Sequence, residues 1–454
     1  MKDLIIDCFA GGGGASVGIE MALGRTVDIA INHDEQAIRM HRTNHPGTLH
    51  LTEDIFRVDL EKYVKGQHVA LMWASPDCTS HSKAKGGQPR KSGLRILPWA
   101  VYKHAKAILP DVIIMENVEE IQQWGPLDES GKPIPERKGE DYRRFISAMQ
   151  SIGYVFDSRE LVAADYGAPT TRKRWYAIFR RDGRPIIWPE PTHSKNGVGG
   201  KQKWVPVANV LDFSDLGQSI FTRKKTLAEK TMIRTANGIK KFVMDNPNPF
   251  FLSERQAYPF LIQYHSETCG GVRGQNITEP VMTLDTSNRY GLVSVFVEKF
   301  YKTGTGQDAN EPLHTITTSP GHFGLVSVFL TKYYGSGCGQ PANDPLGTIT
   351  TKDRFGMTSV IISGEPMRIV DIRLRMLKPE ELKLAQGFPA DYIINRDYMW
   401  KTYPKSEQVK RIGNSVVPIM AEALVRANCG YLKVGERKPA PIIYQQQNGQ
   451  VAFG

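Results

Sequence analysis

Two side chains able to do covalent chemistry each follow an apolar run. One is Cys78, in Ser75-Pro76-Asp77-Cys78, and the other is Glu116, in Glu116-Asn117-Val118, 38 residues later. A thiolate is a good nucleophile, and a neighbouring carboxyl group can donate or share a proton as charge builds up on a substrate. If each apolar run is a strand, the two groups meet at one edge of a sheet, which predicts covalent catalysis with an acid partner. Two further clusters could serve the same site. Arg172-Lys173-Arg174 offers fixed positive charge, and Asp7-Cys8-Phe9-Ala10-Gly11-Gly12-Gly13-Gly14 offers glycines that let backbone approach a ligand closely at a helix N-terminus. Taken singly, each has an ordinary explanation: an inert buried thiol, a strand-end carboxylate, a solvated basic turn, a flexible loop. Their order and spacing together carry the chemistry.

The elements that must position these groups are legible in the hydrophobic pattern. Short apolar runs at 4–9, 27–31, 68–74, 112–115 and 175–179 alternate with helix-like spacing at 35–44, 101–109 and 142–152. Repeated strand-helix-strand units imply a doubly wound α/β sheet, with ligands beyond the carboxyl ends of its strands, where Cys78 and Glu116 fall. Near Trp188-Pro189-Glu190-Pro191 the texture turns to Gly, Asn, Thr and Pro, so a boundary is expected between a first domain of 1–189 and a β-rich second domain of 190–365. Within 261–365 lies an internal repeat: Pro280, Pro312 and Pro345, 32 and 33 residues apart, each precede a Gly-x-x-Ser-Val strand signal at 291–295, 324–328 and 356–360. Three similar β units side by side are predicted. Helical periodicity returns at 374–386 and 416–428, giving a C-terminal part of the first domain at 366–430, and 431–454 reads as a loosely held polar tail.

Composition narrows the partner and compartment. The chain has 454 residues, 40% of them hydrophobic, and 58 Lys and Arg against 47 Asp and Glu, a net charge of +11. This favours a polyanionic partner, nucleic acid foremost. The cysteines Cys8, Cys78, Cys269, Cys338 and Cys429 are scattered without disulfide or zinc spacing, so no metal is expected and a reducing, cytoplasmic setting fits. Met1-Lys2-Asp3-Leu4 opens directly into an apolar strand and no apolar run approaches a membrane span, from which neither a leader nor a membrane partner is expected.

Considered together, the motifs resemble those of the DNA cytosine C5-methyltransferases. The resemblance rests on Asp7–Gly14, the Pro-x-Cys motif of Pro76–Cys78 with Ser82 beyond it, Glu116-Asn117-Val118, and Arg172-x-Arg174. It continues through Arg375-Met376-Leu377 to Glu381 and Gln386-Gly387-Phe388-Pro389, and ends at Gly413-Asn414-Ser415-Val416. It implies a Rossmann-like S-adenosylmethionine-dependent methyltransferase domain with a smaller β-rich target-recognition domain in the variable segment. By the same resemblance, Cys78 adds to cytosine C6, Glu116 meets N3, and Arg174 with Arg172 holds O2. The cofactor is S-adenosyl-L-methionine, leaving S-adenosyl-L-homocysteine. Phe9, Gly11, Gly13 and Gly14 line the adenosine pocket, Asn32 and Asp34 lie by the ribose, Asp54 and Ile55 meet the adenine, and Asn414 and Ser415 close the methionine end.

Duplex DNA follows as substrate, since a stacked base must be flipped out to reach such a pocket. Residues 79–110 carry seven Lys or Arg and no acid, including Lys83, Lys85, Arg90 and Arg95, which with Ser82 suits a loop closing over phosphates. Arg273, Gln275, Asn288, Arg289, His322 and Arg354 are candidate base readers in the repeat region. Three positions depart from the family pattern. Asp77 stands beside the nucleophile where a second proline is usual, Asn32 stands where an acid usually binds ribose, and Thr170 replaces a glutamine. The insertion at 119–141 has no role readable from sequence. A monomer is expected, in a bacterial cell or phage-infected host, with a cognate restriction endonuclease as a possible genetic partner. Two other readings stay open: an RNA cytosine methyltransferase of the same superfamily, and a non-catalytic DNA-binding module that keeps the fold.

Overall fold

The computed structural model describes residues 2–77, 96–264, 274–299, 329–330, 340–341, 359–362, 365–439, 443–445 and 451–453. They fall into two compact units. The first comprises Met1–Val205, Pro280–Ser287 and Pro379–Gly454, and the second Pro206–Glu279 and Asn288–Lys378.

The first unit is built on a seven-stranded sheet. Its strands are β1 (Leu4–Cys8), β2 (Ile29–Ile31), β3 (Leu49–Leu51), β4 (Val69–Ala74), β5 (Val112–Asn117), β6 (Val155–Val162) and β7 (Lys173–Arg180), in the order β3-β2-β1-β4-β5-β7-β6. The first five are parallel, and β7 runs antiparallel between β5 and β6. Strand order reverses between β1 and β4, so the loops leaving their carboxyl ends diverge and open a crevice there. Those loops are the glycine turn and the Ser75-Pro76-Asp77 segment.

Alternation along the strands explains why both faces are covered. Leu4, Ile6, Ile113 and Met115 enter one core with Ala100, Val101 and Ala105 of helix α4 (Leu97–Ile108) and Phe145, Ile146 and Met149 of α5 (Glu140–Ser151). Ile5, Trp73, Val112 and Ile114 enter the opposite core with Ala15, Ile19 and Leu23 of α1 (Gly14–Leu23) and Met420, Leu424 and Val425 of the helix Pro418–Cys429. Two short helices, α2 (Glu35–Asn44) and α3 (Leu60–Val64), complete the N-terminal half.

The second unit holds an antiparallel sheet in which Glu365–Met376 pairs with Gln218–Ser219, Tyr290–Lys299 and Ser359–Ile362, and Ala257–Gln263 pairs with Tyr290–Lys299 and Gly274–Gln275. The helix Glu229–Ile239 contributes Met232, Ala236 and Ile239 to its core. Of the three expected repeat units, the strand signal at 291–295 lies in Tyr290–Lys299 and residues 359–360 of the third open Ser359–Ile362. Residues 310–328 and 343–358 lie outside the described residues.

Three sequence expectations meet a different arrangement. Helical periodicity over 374–386 resolves into the end of a strand at Met376 and a helix that begins only at Pro379. Proline favours extended backbone before it and suits a first helical turn, so it fixes that boundary. Residues 280–287 return to the first unit because Val281 bridges Thr170, with Thr171 N donating to Val281 O at 2.8 Å and Val281 N to Pro169 O at 2.9 Å. The start of the polar tail is fastened rather than loose: Leu432 is buried, Val434 N donates to Leu23 O at 2.8 Å, and Arg437 pairs with Asp391 at 2.9 Å.

Helix α1 approaches Pro418–Cys429 closely at Gly18, where an added Cβ would lie 2.3 Å from Pro418 O and 2.7 Å from Ala421 Cβ. Gly18→Val is therefore expected to lower the unfolding free energy by about 2–3 kcal/mol, read as an earlier midpoint in chemical denaturation.

Candidate active site

The turn after β1 is shaped by what packs against it. Phe9 leaves the strand at φ +67°, an uncommon conformation for a non-glycine residue, and Gly11 and Gly13 follow at +51° and +90°. A Cβ on Gly13 would lie 2.0 Å from the Tyr392 hydroxyl oxygen, and one on Gly14 would lie 2.2 Å from Val416 O. The same neighbours hold the turn: Tyr392 OH donates to Gly12 O at 2.7 Å and Gly14 N donates to Ser415 Oγ at 3.1 Å. The chain then enters α1, whose N-terminal N–H groups and dipole suit an anionic group or a ligand's polar end.

The other expected cofactor residues ring the ends of β2 and β3, and several are engaged locally. Asn32 Oδ1 accepts from Asp34 N at 2.8 Å, and Asp34 caps α2 by accepting from Gln36 N at 2.8 Å and Ala37 N at 3.3 Å. Asp54 is exposed and accepts from Phe56 N at 2.8 Å, while Ile55 is buried in the core. Asn414 is exposed at the end of the helix Lys405–Asn414, and the buried Ser415 joins that end to the glycine turn.

At the neighbouring edge, Asn117 at the end of β5 donates from Nδ2 to Pro76 O at 3.0 Å, tying the loop that leaves β4 to the strand that carries Glu116. Ser75 N donates to Cys8 O at 3.3 Å, so β1 and β4 remain joined up to the divergence. Glu116 is buried, with 8% of its surface exposed, and pairs with Arg174 Nε at 3.2 Å. Asp77 is exposed, so water screens its charge.

Arg172 and Arg174 take different partners. Arg172 is buried and donates from Nη1 to Leu284 O at 3.1 Å and Gly413 O at 2.8 Å, stapling 280–287 to the Gly413-Asn414-Ser415 motif. A Cβ on Gly413 would lie 1.8 Å from Asp285 O, which explains the glycine. Lys173 turns to the other side of the strand, pairing with Glu119 at 3.0 Å and with Glu160. Sequence reading had no signal for Tyr392 or Leu284, whose roles come from backbone approach.

Cys78, Ser82, Lys83, Lys85, Arg90, Arg95, Arg273, His322 and Arg354 lie outside the described residues. In the second unit, Asn288 Nδ2 donates to Leu377 O at 2.7 Å, Arg289 Nη1 donates to Tyr264 O at 3.3 Å, and Gln275 is buried. These bonds brace strand ends within that unit.

The model of the C-5 cytosine-specific DNA methylase family matches residues 4–428. The chain belongs to that family. As a family member it is a DNA cytosine-5 methyltransferase that draws on a methyl donor. Among similar curated proteins, the Type II methyltransferase M.AquIA of Picosynechococcus sp. is 27% identical over 200 residues, 42% of this chain and 78% of that protein. The Type II methyltransferase M.AgeI of Thalassovita gelatinovora is 29% identical over 206 residues, 44% of each. Among solved structures, the S. pombe Dnmt2 methyltransferase aligns with 95% of this chain and all of that one, at 12% identity and a TM-score of 0.49. Among the described residues, no helix of the methylase is long and apolar enough to cross a membrane.

The geometry separates the two arginines by experiment. Arg172→Ala strands two buried carbonyls and is expected to cost about 2–3 kcal/mol of stability. Arg174→Ala leaves the buried Glu116 carboxylate without its ion-pair partner and is expected to cost about 1–3 kcal/mol while suppressing methyl transfer. Thermal melts beside a radiolabelled methyl-transfer assay would check both; undiminished methyl transfer by a folded Arg174→Ala chain would contradict the division.

Proposed function

We propose that this methylase transfers a methyl group from S-adenosyl-L-methionine to C5 of a cytosine flipped out of double-stranded DNA, through a covalent adduct of Cys78 at C6. The observation that carries this reading is the edge of β4 and β5. There the Asn117 bond to Pro76 O holds the chain two residues before Cys78 against the strand bearing the Glu116–Arg174 pair. The chain leading to Cys78 and the strand bearing Glu116 thereby leave adjacent strand ends.

Cytosine C5 is too weak a nucleophile to attack a methyl sulfonium unaided. Addition of the Cys78 thiolate at C6 pushes an electron pair toward N3, where Glu116 supplies or shares a proton, and turns C5 into an enamine carbon. Arg174, oriented by Glu116, lies on the side suited to hold O2 as negative charge develops. S-adenosyl-L-methionine supplies the methyl group and leaves as the neutral thioether. Loss of the C5 proton to a base and expulsion of Cys78 then restore the aromatic ring and the free enzyme.

The residues present fit the donor. The turn of Phe9–Gly14 ends at a helix N-terminus, and Asn32, Asp34 and Asp54 place polar groups near the ends of the adjoining strands. The basic 79–95 segment would close over the phosphates and the second unit would choose the sequence. The Type II names of the relatives support a protective role beside a cognate restriction endonuclease.

Base-resolution sequencing of methylcytosine in plasmid DNA from methylation-deficient cells tests the proposal. Methylation at one short motif is expected with the wild-type chain and none with Cys78→Ala. A folded wild type that leaves DNA unmodified but methylates tRNA would transfer the reaction to RNA, and one inert toward both would leave only binding.

A further inference from the structure

A chain of buried polar groups runs from the foot of the glycine turn to β3. Asp7, the fourth residue of β1, has no exposed surface; its Oδ2 accepts from Ser16 Oγ at 2.6 Å, and its Oδ1 is buried without a hydrogen-bond partner. Ser16 Oγ, in the first turn of α1, lies 2.8 Å from His41 Nε2 of α2, and His41 Nδ1 lies 2.9 Å from His50 Nε2 of β3. Asp7, Ser16 and His41 are fully buried; His50, 9% exposed, is the outermost member, and its Nδ1 is enclosed without a hydrogen-bond partner. The proposed methyl transfer uses none of these side chains.

We propose that Asp7, Ser16, His41 and His50 form a proton relay that sets the charge at the foot of the donor-binding turn, so that binding of a cationic methyl donor releases a proton. The proposal rests on the reading that this turn binds S-adenosyl-L-methionine.

The hydrogen bonds allow two complete states. With Asp7 ionised it can only accept, so Ser16 donates to it, His41 Nε2–H donates to Ser16 Oγ, and His50 Nε2–H donates to His41 Nδ1. One proton gained at His50 Nδ1, which is enclosed and exchanges with solvent only through local opening at β3, reverses every link. His50 Nε2 passes its proton to His41 Nδ1, His41 Nε2 passes its own to Ser16, and the hydroxyl proton moves to Asp7. Both rings stay neutral in both states, and only the carboxyl gains charge or loses it.

The surroundings favour neutral rings. Burial pushes His41 well below the ordinary histidine range, and burial with the nearby Arg42 lowers His50 to about 4. Burial raises Asp7 to about 7, with Ser16 opposing the rise, and the adjacent Cys8 thiol is also pushed up. A sulfonium beside the turn would favour the ionised carboxylate, whereas the thioether product carries no such charge. Donor affinity should therefore rise with pH through about 7. His45 packs on His41 with ring centroids 4.6 Å apart and lies 3.5 Å from Glu20, itself raised to about 7 by burial, with Arg437 opposing the rise and Asp391 adding to it. Glu20 is thus the competing source of any pH effect, and Tyr392 faces both it and Asp7.

The test is calorimetric titration of the full chain with S-adenosylmethionine and S-adenosylhomocysteine between about pH 6 and pH 8. Affinity for the sulfonium should rise about tenfold over that range, the worth of one pKa unit, and affinity for the thioether much less. Asp7→Asn should flatten the sulfonium profile, His41→Phe should displace it, and Glu20→Gln should leave it intact. Equal slopes for the two ligands, or a slope lost in Glu20→Gln but kept in Asp7→Asn, would overturn the proposal. Spectra of wild-type chain with 15N-labelled histidine give a reading that needs no variant: His41 and His50 should carry the proton on Nε2 at the higher pH and on Nδ1 at the lower. Fixed tautomers would refute the relay. Switching tautomers in a chain that binds neither ligand would support the relay and refute the donor assignment of the turn.

Discussion

The close approach of residues 12–14 to 392 and 413–416 is the constraint on which the rest of the first unit depends. Groups some four hundred positions apart in the chain are brought to hydrogen-bond distance, as in the donation from Gly14 N to the Ser415 hydroxyl oxygen. Closing so long a loop costs only slowly growing entropy, so a large segment can be carried between the two ends at little penalty. That is how the second unit, Pro206–Glu279 and Asn288–Lys378, interrupts the sequence without interrupting the sheet. The closure also dictates residue types, because a side chain on Gly13, Gly14 or Gly413 would occupy space already held by Tyr392, Val416 or Asp285.

Strand alternation turns one basic tripeptide into three separate functions. Arg172 and Arg174 share a side, but Arg172 is stapled to the carbonyls of Leu284 and Gly413 while Arg174 reaches Glu116. Lys173 faces away and draws Glu119 and Glu160 together. A buried guanidinium whose Nη1 holds two carbonyl oxygens is a durable joint, because removing it would leave those acceptors desolvated and unpaired. Holding the motif frame and pairing with the buried Glu116 carboxylate therefore fall to neighbours of the same residue type.

The parts of this arrangement visible in sequence were those set by local pattern. Five apolar runs became β1, β2, β4, β5 and β7 because strands of a sheet buried on both faces must be continuously apolar. Cys78 and Glu116 were placed at strand ends on the same ground, and for Glu116 the ion pair with Arg174 is now explicit. Hidden from sequence were features that depend on long-range backbone approach: Tyr392 on Gly12 O, the return of 280–287 to Thr170, and the spending of Asp34 on a helix cap. The helical spacing expected from 374 began before the true helix start at Pro379, since Leu374 is buried by the strand and Leu377 just beyond its end, a separation of three that imitates a helix.

The insertion at 119–141 shows how an apparently dispensable segment can be integral to a site. It begins two residues after the strand that carries Glu116, and a free polar loop there would let the strand end fray. Instead Trp124 is buried in the core with edge-on contacts to Trp99, and Gly125 lies so near Arg137 O that a Cβ would come within 2.2 Å. Tyr142 N donates to Trp124 O at 3.1 Å, which returns the chain to α5, and Leu127 bridges Pro133 across a turn closed by Asp128. With Glu119 held by Lys173, the start of the insertion is tied to β7 beside Glu116, and its end is tied back to Trp124 as the chain enters α5. Its length costs little because its ends are fixed close together, and its buried tryptophan makes the exit of β5 stiffer than a short polar turn would.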